Sequence, residues 1–82
     1  KLDFKVFPNP TADLITIQSV SLLKNDLKLE MIDELGKIVL TKTFYQGSSS
    51  CYIETDTIYN GIYFIKIYDI ESSKTFKVII HK

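Results

Sequence analysis

Two side chains in this chain of 82 residues could begin nucleophilic chemistry, the single cysteine Cys51 and the single histidine His81. A thiol beside an imidazole makes an activated nucleophile, but the base also needs a third group to orient it, and none stands at a suitable spacing. The pair forms only if the strands carrying the two residues meet. Cys51 reads more simply as a small apolar residue within a strand. His81 lies one residue from the end, on the face opposite Val78 and Ile80, which makes it an exposed side chain. The carboxylates are scattered, without the paired spacing that acid–base catalysis needs. Asp26, Asp33, Asp56 and Asp69 fall near turns, where an aspartate caps backbone amides, so they read as turn caps rather than metal ligands. No calcium loop of EF-hand type and no phosphate-cradling glycine loop occurs. The expectation is a protein without catalytic residues, metal or cofactor.

Ten lysines balance ten acidic residues, and arginine is absent. A nucleic-acid module would show a basic stripe, and bidentate recognition of phosphate or carboxylate favours arginine. No apolar run approaches the roughly 20 residues that cross a bilayer as a helix. A chain this short folds as one domain whose core must be efficient, and 45% hydrophobic residues, with twelve Ile, five Phe and five Tyr, are an adequate supply. The single cysteine excludes an intrachain disulfide; a lone thiol suits a reducing compartment and, if buried, is also compatible with export. The first residue is Lys1, and the segment reads as a fragment of a longer protein, with any export signal upstream.

The elements that must position these residues follow a period of two. Leu27, Leu29 and Met31 alternate with Lys28 and Glu30; Phe76, Val78 and Ile80 alternate with Lys77; Tyr63, Ile65 and Ile67 share a face away from Lys66. Alternation with β-branched and aromatic enrichment predicts strands at about 3–7, 13–19, 26–33, 37–45, 51–54, 61–69 and 74–81. A helix over 20–35 is the rival reading, from Leu22, Leu23, Leu27 and Glu30, but Asn25-Asp26 interrupts it and no strong cap precedes it. Gly36 fits the positive-φ slot of a three-residue hairpin loop with a bulge. Glu71 to Lys74 form a polar tip, and Gln46 to Ser50 a flexible connection that changes sheets. Seven short strands with turns about every ten residues predict an all-β, seven-stranded antiparallel sandwich of immunoglobulin or fibronectin-III type.

Three turn motifs punctuate that pattern: Pro8-Asn9-Pro10, Asp33-Glu34-Leu35-Gly36-Lys37 and Tyr59-Asn60-Gly61-Ile62-Tyr63-Phe64. In Pro8-Asn9-Pro10 neither proline can donate to a ladder, and Asn9 is driven to extended geometry, so the segment ends the first strand and blunts an edge. Asn60-Gly61 is either a tight primed turn or a crossing between sheets. The crossing is favoured, with Tyr63 as a corner tyrosine whose hydroxyl reaches nearby backbone.

Taken in order, these motifs resemble the C-terminal sorting domain of type IX secretion substrates, the Por secretion system tail of type A found in the Bacteroidota. Val6-Phe7-Pro8-Asn9-Pro10 matches its opening and Leu14-Ile15-Thr16-Ile17 the strand that follows. Ile32 to Val39, with Gly36-Lys37 in its turn, matches the acidic turn, Gly61 to Ile67 the Gly-x-Tyr strand, and Lys74 to Lys82 the closing Lys-rich strand. The resemblance covers essentially the whole of residues 1–82. Asn60 replaces a usual small residue, and Phe76-Lys77-Val78-Ile79 departs from the usual closing pattern in the part most tied to recognition.

The resemblance implies an address, not a reaction. It implies an immunoglobulin-like sandwich at the end of an upstream cargo, exported to the periplasm by a signal peptide and then carried to the cell surface or outside. It implies reading by the type IX outer-membrane translocon. It also implies, in many cases, removal by a sortase-like cysteine protease that attaches the cargo to surface lipopolysaccharide, with the scissile bond upstream of Lys1. The residues expected to be read are Lys77, Val78, Ile80 and Lys82 of the closing segment 75–82, with Pro8, Asn9, Pro10, Gly36, Lys37, Gly61 and Tyr63 as further surface. An unpaired edge strand would also let two copies pair. The alternative is a fibronectin-III-like accessory or carbohydrate-binding module of a surface enzyme, for which a cluster of exposed Tyr45, Tyr52, Tyr59 and Tyr68 would speak.

Overall fold

A computed structural model describes residues 3–8, 10 and 13–82. The seven strands are β1 Phe4–Phe7, β2 Leu14–Ser19, β3 Leu27–Asp33, β4 Ile38–Phe44, β5 Ser50–Glu54, β6 Gly61–Tyr68 and β7 Ser73–Ile80. Every expected strand is present, its ends moved by a residue or so. The helix considered over 20–35 is absent; β3 forms there because Leu27, Leu29 and Met31 are all buried on one face, which a strand achieves and a helix does not.

The strands make two sheets, β1-β2-β5 and β4-β3-β6-β7, with every pair antiparallel. The β1–β2, β3–β4 and β6–β7 connections stay within a sheet, whereas β2–β3, β4–β5 and β5–β6 cross between them. This is the sandwich predicted from the alternation. Its inner faces supply the core: Ile15, Ile17 and Ile53 from the three-stranded sheet, and Leu29, Met31, Ile65, Ile67, Val78 and Ile80 from the four-stranded one, all essentially inaccessible. Phe4 closes one end, its ring centroid 5.9 Å from Phe44 and 6.3 Å from Phe76. Lys42 occupies an inward position opposite Leu29, but β4 is an edge, so its stem runs out between the sheets and its ammonium donates to Tyr52 O at 2.5 Å.

The β4–β5 connection changes sheets as expected, and its backbone is tied to the β2–β3 crossing. Gly47 N donates to Leu23 O at 2.8 Å, Leu23 N to Ser48 O at 3.0 Å, and Gln46 N to Asp26 Oδ1 at 2.8 Å. The β2–β3 and β4–β5 crossings therefore brace each other, a pairing between segments that sequence spacing does not announce.

Candidate functional site

An antiparallel stack of seven strands sorts its connections by parity. The β1–β2, β3–β4 and β5–β6 connections and the end of β7 emerge at one pole; the β2–β3, β4–β5 and β6–β7 connections and Asp3 lie at the other. A link between the sheets fixes their common parity: Lys82, past the end of β7, donates through Nζ to Asp56 O, just past β5, at 3.1 Å. Thr55 N donates to Asp13 O at 3.0 Å, and Lys82 N to Asn60 Oδ1 at 2.9 Å. All three sequence motifs thus gather at a single end, the motif pole, of a body 34 × 22 × 17 Å. The described residues begin at the far pole, where Val20 N donates to Asp3 O at 3.1 Å.

The β3–β4 hairpin is built by Asp33. One carboxylate oxygen accepts from both Leu35 N and Lys37 N at 2.9 Å, while Gly36 N donates to Asp33 O and Asp33 N to Lys37 O. Gly36 has φ +87° and completes the bulged three-residue loop that it suggested; a separate bulge lies deeper in the ladder, where the register slips one residue between Met31 and Ile32. The result holds Lys37 at a fixed tip and leaves Leu35 94% exposed.

The β5–β6 crossing takes the corner form. Tyr63 buries its ring and its hydroxyl donates to Tyr59 O at 2.7 Å. Burial raises the Tyr63 hydroxyl pKa above its usual 10.0, and the nearby Asp33 charge adds to the shift. Gly61, at φ +156°, begins β6 against the Tyr63 ring, which a β-carbon there would meet at 3.7 Å. The end of β7 is tied to this corner. Lys82 Nζ donates to Ile58 O at 2.5 Å and to Asp56 O at 3.1 Å, while its amide reaches Asn60.

The expected recognition residues divide by burial. Pro8, Pro10, Gly36, Lys37, Lys77 and Lys82 are exposed, whereas Tyr63, Val78 and Ile80 are core residues and Gly61 is half-buried. Pro8 follows the edge strand β1 directly, with a cis Phe7–Pro8 bond; Asn9 lies outside the described residues. The Tyr63 bond to the Tyr59 carbonyl is the corner bond that the sequence suggested, whereas the bonds of Lys82 to Asn60 and to the Asp56 and Ile58 carbonyls had no local signal, because the partners are 22 to 26 residues apart. Asp26, Asp33 and Asp69 do cap backbone amides, but at Asp56 it is the backbone carbonyl that is used. Asp69 accepts from Glu71 N and Ser72 N, which holds its carboxyl below the usual carboxylate range.

Cys51 is buried on β5 opposite Ile17, and His81 follows β7 in the other sheet, so no nucleophile–base pair is assembled on adjacent strands. Nor do the tyrosines form a sugar platform. Tyr52 and Tyr68 lie on the outer faces of opposite sheets, and Tyr59 and Tyr45 at opposite poles.

Residues 5–81 match the secretion system C-terminal sorting domain. The chain belongs to this family. No curated protein matches it. The match spans all seven strands except the first residue of β1, so the sorting domain is the whole sandwich and not one of its loops. As a type IX sorting signal, it directs export across the outer membrane to the cell surface or beyond, which implies the secretion machinery as a partner and a cargo upstream.

Proposed function

We propose that this sorting domain is read at its motif pole by the type IX outer-membrane translocon, from the periplasmic side, while its cargo hangs from the far pole. The observation that carries this reading is the convergence of Pro8, Pro10, the Gly36-Lys37 tip and Lys82 at one end, with residue 3 at the other. A reader at the motif pole then meets no obstruction from a folded cargo. β7 adds a second element, because it ends the strand order of the four-stranded sheet and an edge strand is a template for strand addition. Val78 and Ile80 serve this role by anchoring β7 in the core, and Lys77 by facing outward. Cleavage upstream of the sandwich by a sortase-like protease, with surface attachment, would complete the route.

The test is a periplasmically targeted reporter fused ahead of residues 1–82 in a cell with this pathway. Surface delivery that is lost on deleting residues 75–82, and lost or reduced with Lys37→Glu, supports the reading. Retention of the full fusion in the periplasm overturns it, as does delivery that survives the deletion.

A further inference from the structure

The inward series of β4 runs Leu40, Lys42, Phe44, opposite Met31, Leu29 and Leu27. Every member but Lys42 lies in the core or packs against it, so a lysine here breaks the alternation that builds the sandwich. An apolar residue would extend the core. A lysine has to lay its stem between the sheets and bring its charge out.

Strand order sets where that charge emerges. β4 ends one sheet and β5 the other, and the bond from Lys42 Nζ to Tyr52 O puts both edges on one side of the sandwich. β1 and β7 share the other side, where the Phe4 and Phe76 rings meet edge to face. In the β2–β5 ladder Ser19 N donates to Ser49 O and Thr55 N to Asp13 O. Bonded pairs alternate along an antiparallel ladder, so Ile15–Ile53 and Ile17–Cys51 are the bonded pairs of this register. Ser50, Tyr52 and Glu54 therefore turn their amides and carbonyls away from β2, toward the open side. Such a row is a template for a further strand. Its central acceptor is Tyr52 O, the atom that the Lys42 ammonium holds. β4 is itself irregular on this side, because the register slip leaves Val39 without an opposite position on β3.

We infer that Lys42 is a guard residue that closes the β5 edge to strand addition by a second copy of this chain. The inference needs only strand order and register, and it stands apart from which pole is read. An edge strand can join its own copy about a twofold axis. The symmetric join that uses all three outward positions pairs Tyr52 with itself and Ser50 with Glu54. It needs both Tyr52 carbonyls, so both lysines must let go, and it sets two ammonium groups at one seam. The displaced bonds and the like charges both oppose the join. Pairing there would tether two cargoes together.

The test uses a monomeric reporter fused ahead of residues 1–82, purified and followed by sedimentation over a concentration series. Lys42→Met keeps the stem and removes the ammonium, and it should self-associate about tenfold more tightly than the parent, or more. Lys42→Gln, neutral and too short to reach across, should behave alike, while Lys42→Arg should stay as monomeric as the parent. Lys28→Met removes the same charge from the outer face of β3 and should also stay monomeric. In the associated form, amide exchange should slow at Ser50, Tyr52 and Glu54 and be unchanged at the Asp69 turn. The guard role is overturned if both neutral Lys42 variants are as monomeric as the parent, if Lys28→Met associates equally, or if association leaves those three amides unprotected. A parent that already pairs through β5 overturns it too. Loss of cooperative melting in both neutral variants would make Lys42 a structural residue and overturn it as well.

Discussion

The two poles of the sandwich solve the same problem, holding three connections in place, by different means. At the far pole each connection is bound by its neighbours in sequence or by another loop: Asp69 caps its own turn, and the β2–β3 and β4–β5 crossings share backbone bonds. At the motif pole the end of β7 is the brace: the Lys82 amide and ammonium bind the 55–60 connection from 22 to 26 residues away, and the Tyr63 hydroxyl adds a bond to Tyr59 O four residues back. The Asp33 hairpin there is closed by its own residues. The difference teaches that the motif pole keeps its shape only while β6 and β7 are seated. A reader of this pole tests whether the last strand has docked, whereas the far pole reports the β2–β3 and β4–β5 crossings on each other.

Substitutions can break or sharpen that contrast. The largest effect should come from Ile65→Ala, a core position serving both poles, which should cost about 2–5 kcal/mol and, in thermal unfolding, lower both poles together. Poles melting at separate temperatures would contradict the shared core. Next, Tyr63→Phe removes one partly buried hydrogen bond and should cost about 1 kcal/mol, or roughly 4–8 °C of melting temperature. Amide exchange should accelerate around 55–60 and spare the Asp69 turn; equal acceleration at both poles would mean that the corner bond is not local in its effect. Asp33→Ala and Asp69→Ala should each loosen only its own turn, with smaller losses because both caps are exposed.

The smallest and most diagnostic effects come from pH. The Asp69 carboxyl is held below its ordinary 3.8 by the Glu71 and Ser72 amides. Its contribution is full above about pH 4 and is lost as pH falls through the lowered folded-state value, so acid should loosen the far-pole turn. Tyr63 and Tyr68 are raised above 10.0, Tyr63 first by burial and Tyr68 first by its bond to Glu30. Their contributions are full below pH 10 and are lost as pH rises through the raised values, so alkali should loosen the motif-pole corner through Tyr63 and the Glu30 contact toward the far pole through Tyr68. Residue-resolved NMR titration checks both limbs; an alkaline transition that persists unchanged in the Tyr63→Phe, Tyr68→Phe double variant would count against the assignment.

Much of the fold was legible because its rules are local. Alternation at Leu27–Met31, Tyr63–Ile67 and Phe76–Ile80 reports which side chains face inward, since successive strand residues point to opposite faces. Asp33 and Gly36 announce their hairpin within five residues. The candidate site was legible only in part. Val78, Ile80 and Tyr63 stood out as motif residues, but their sequence pattern does not distinguish a contact from an anchor, and burial makes them anchors. Asn60 registered as a departure from family pattern, whereas in the fold it receives the Lys82 amide.

By itself the sequence determined the strands, their inward faces, the turn chemistry and the family, because each depends on residues within a few positions of one another or on motifs in fixed order. Tertiary structure alone decided which motifs share a pole, that Lys82 closes on the corner at 56–60, and that the Lys42 ammonium of β4 meets an outward carbonyl of β5. Those outcomes depend on strand order and register. Both are set by packing two sheets around one core, and no local pattern encodes them.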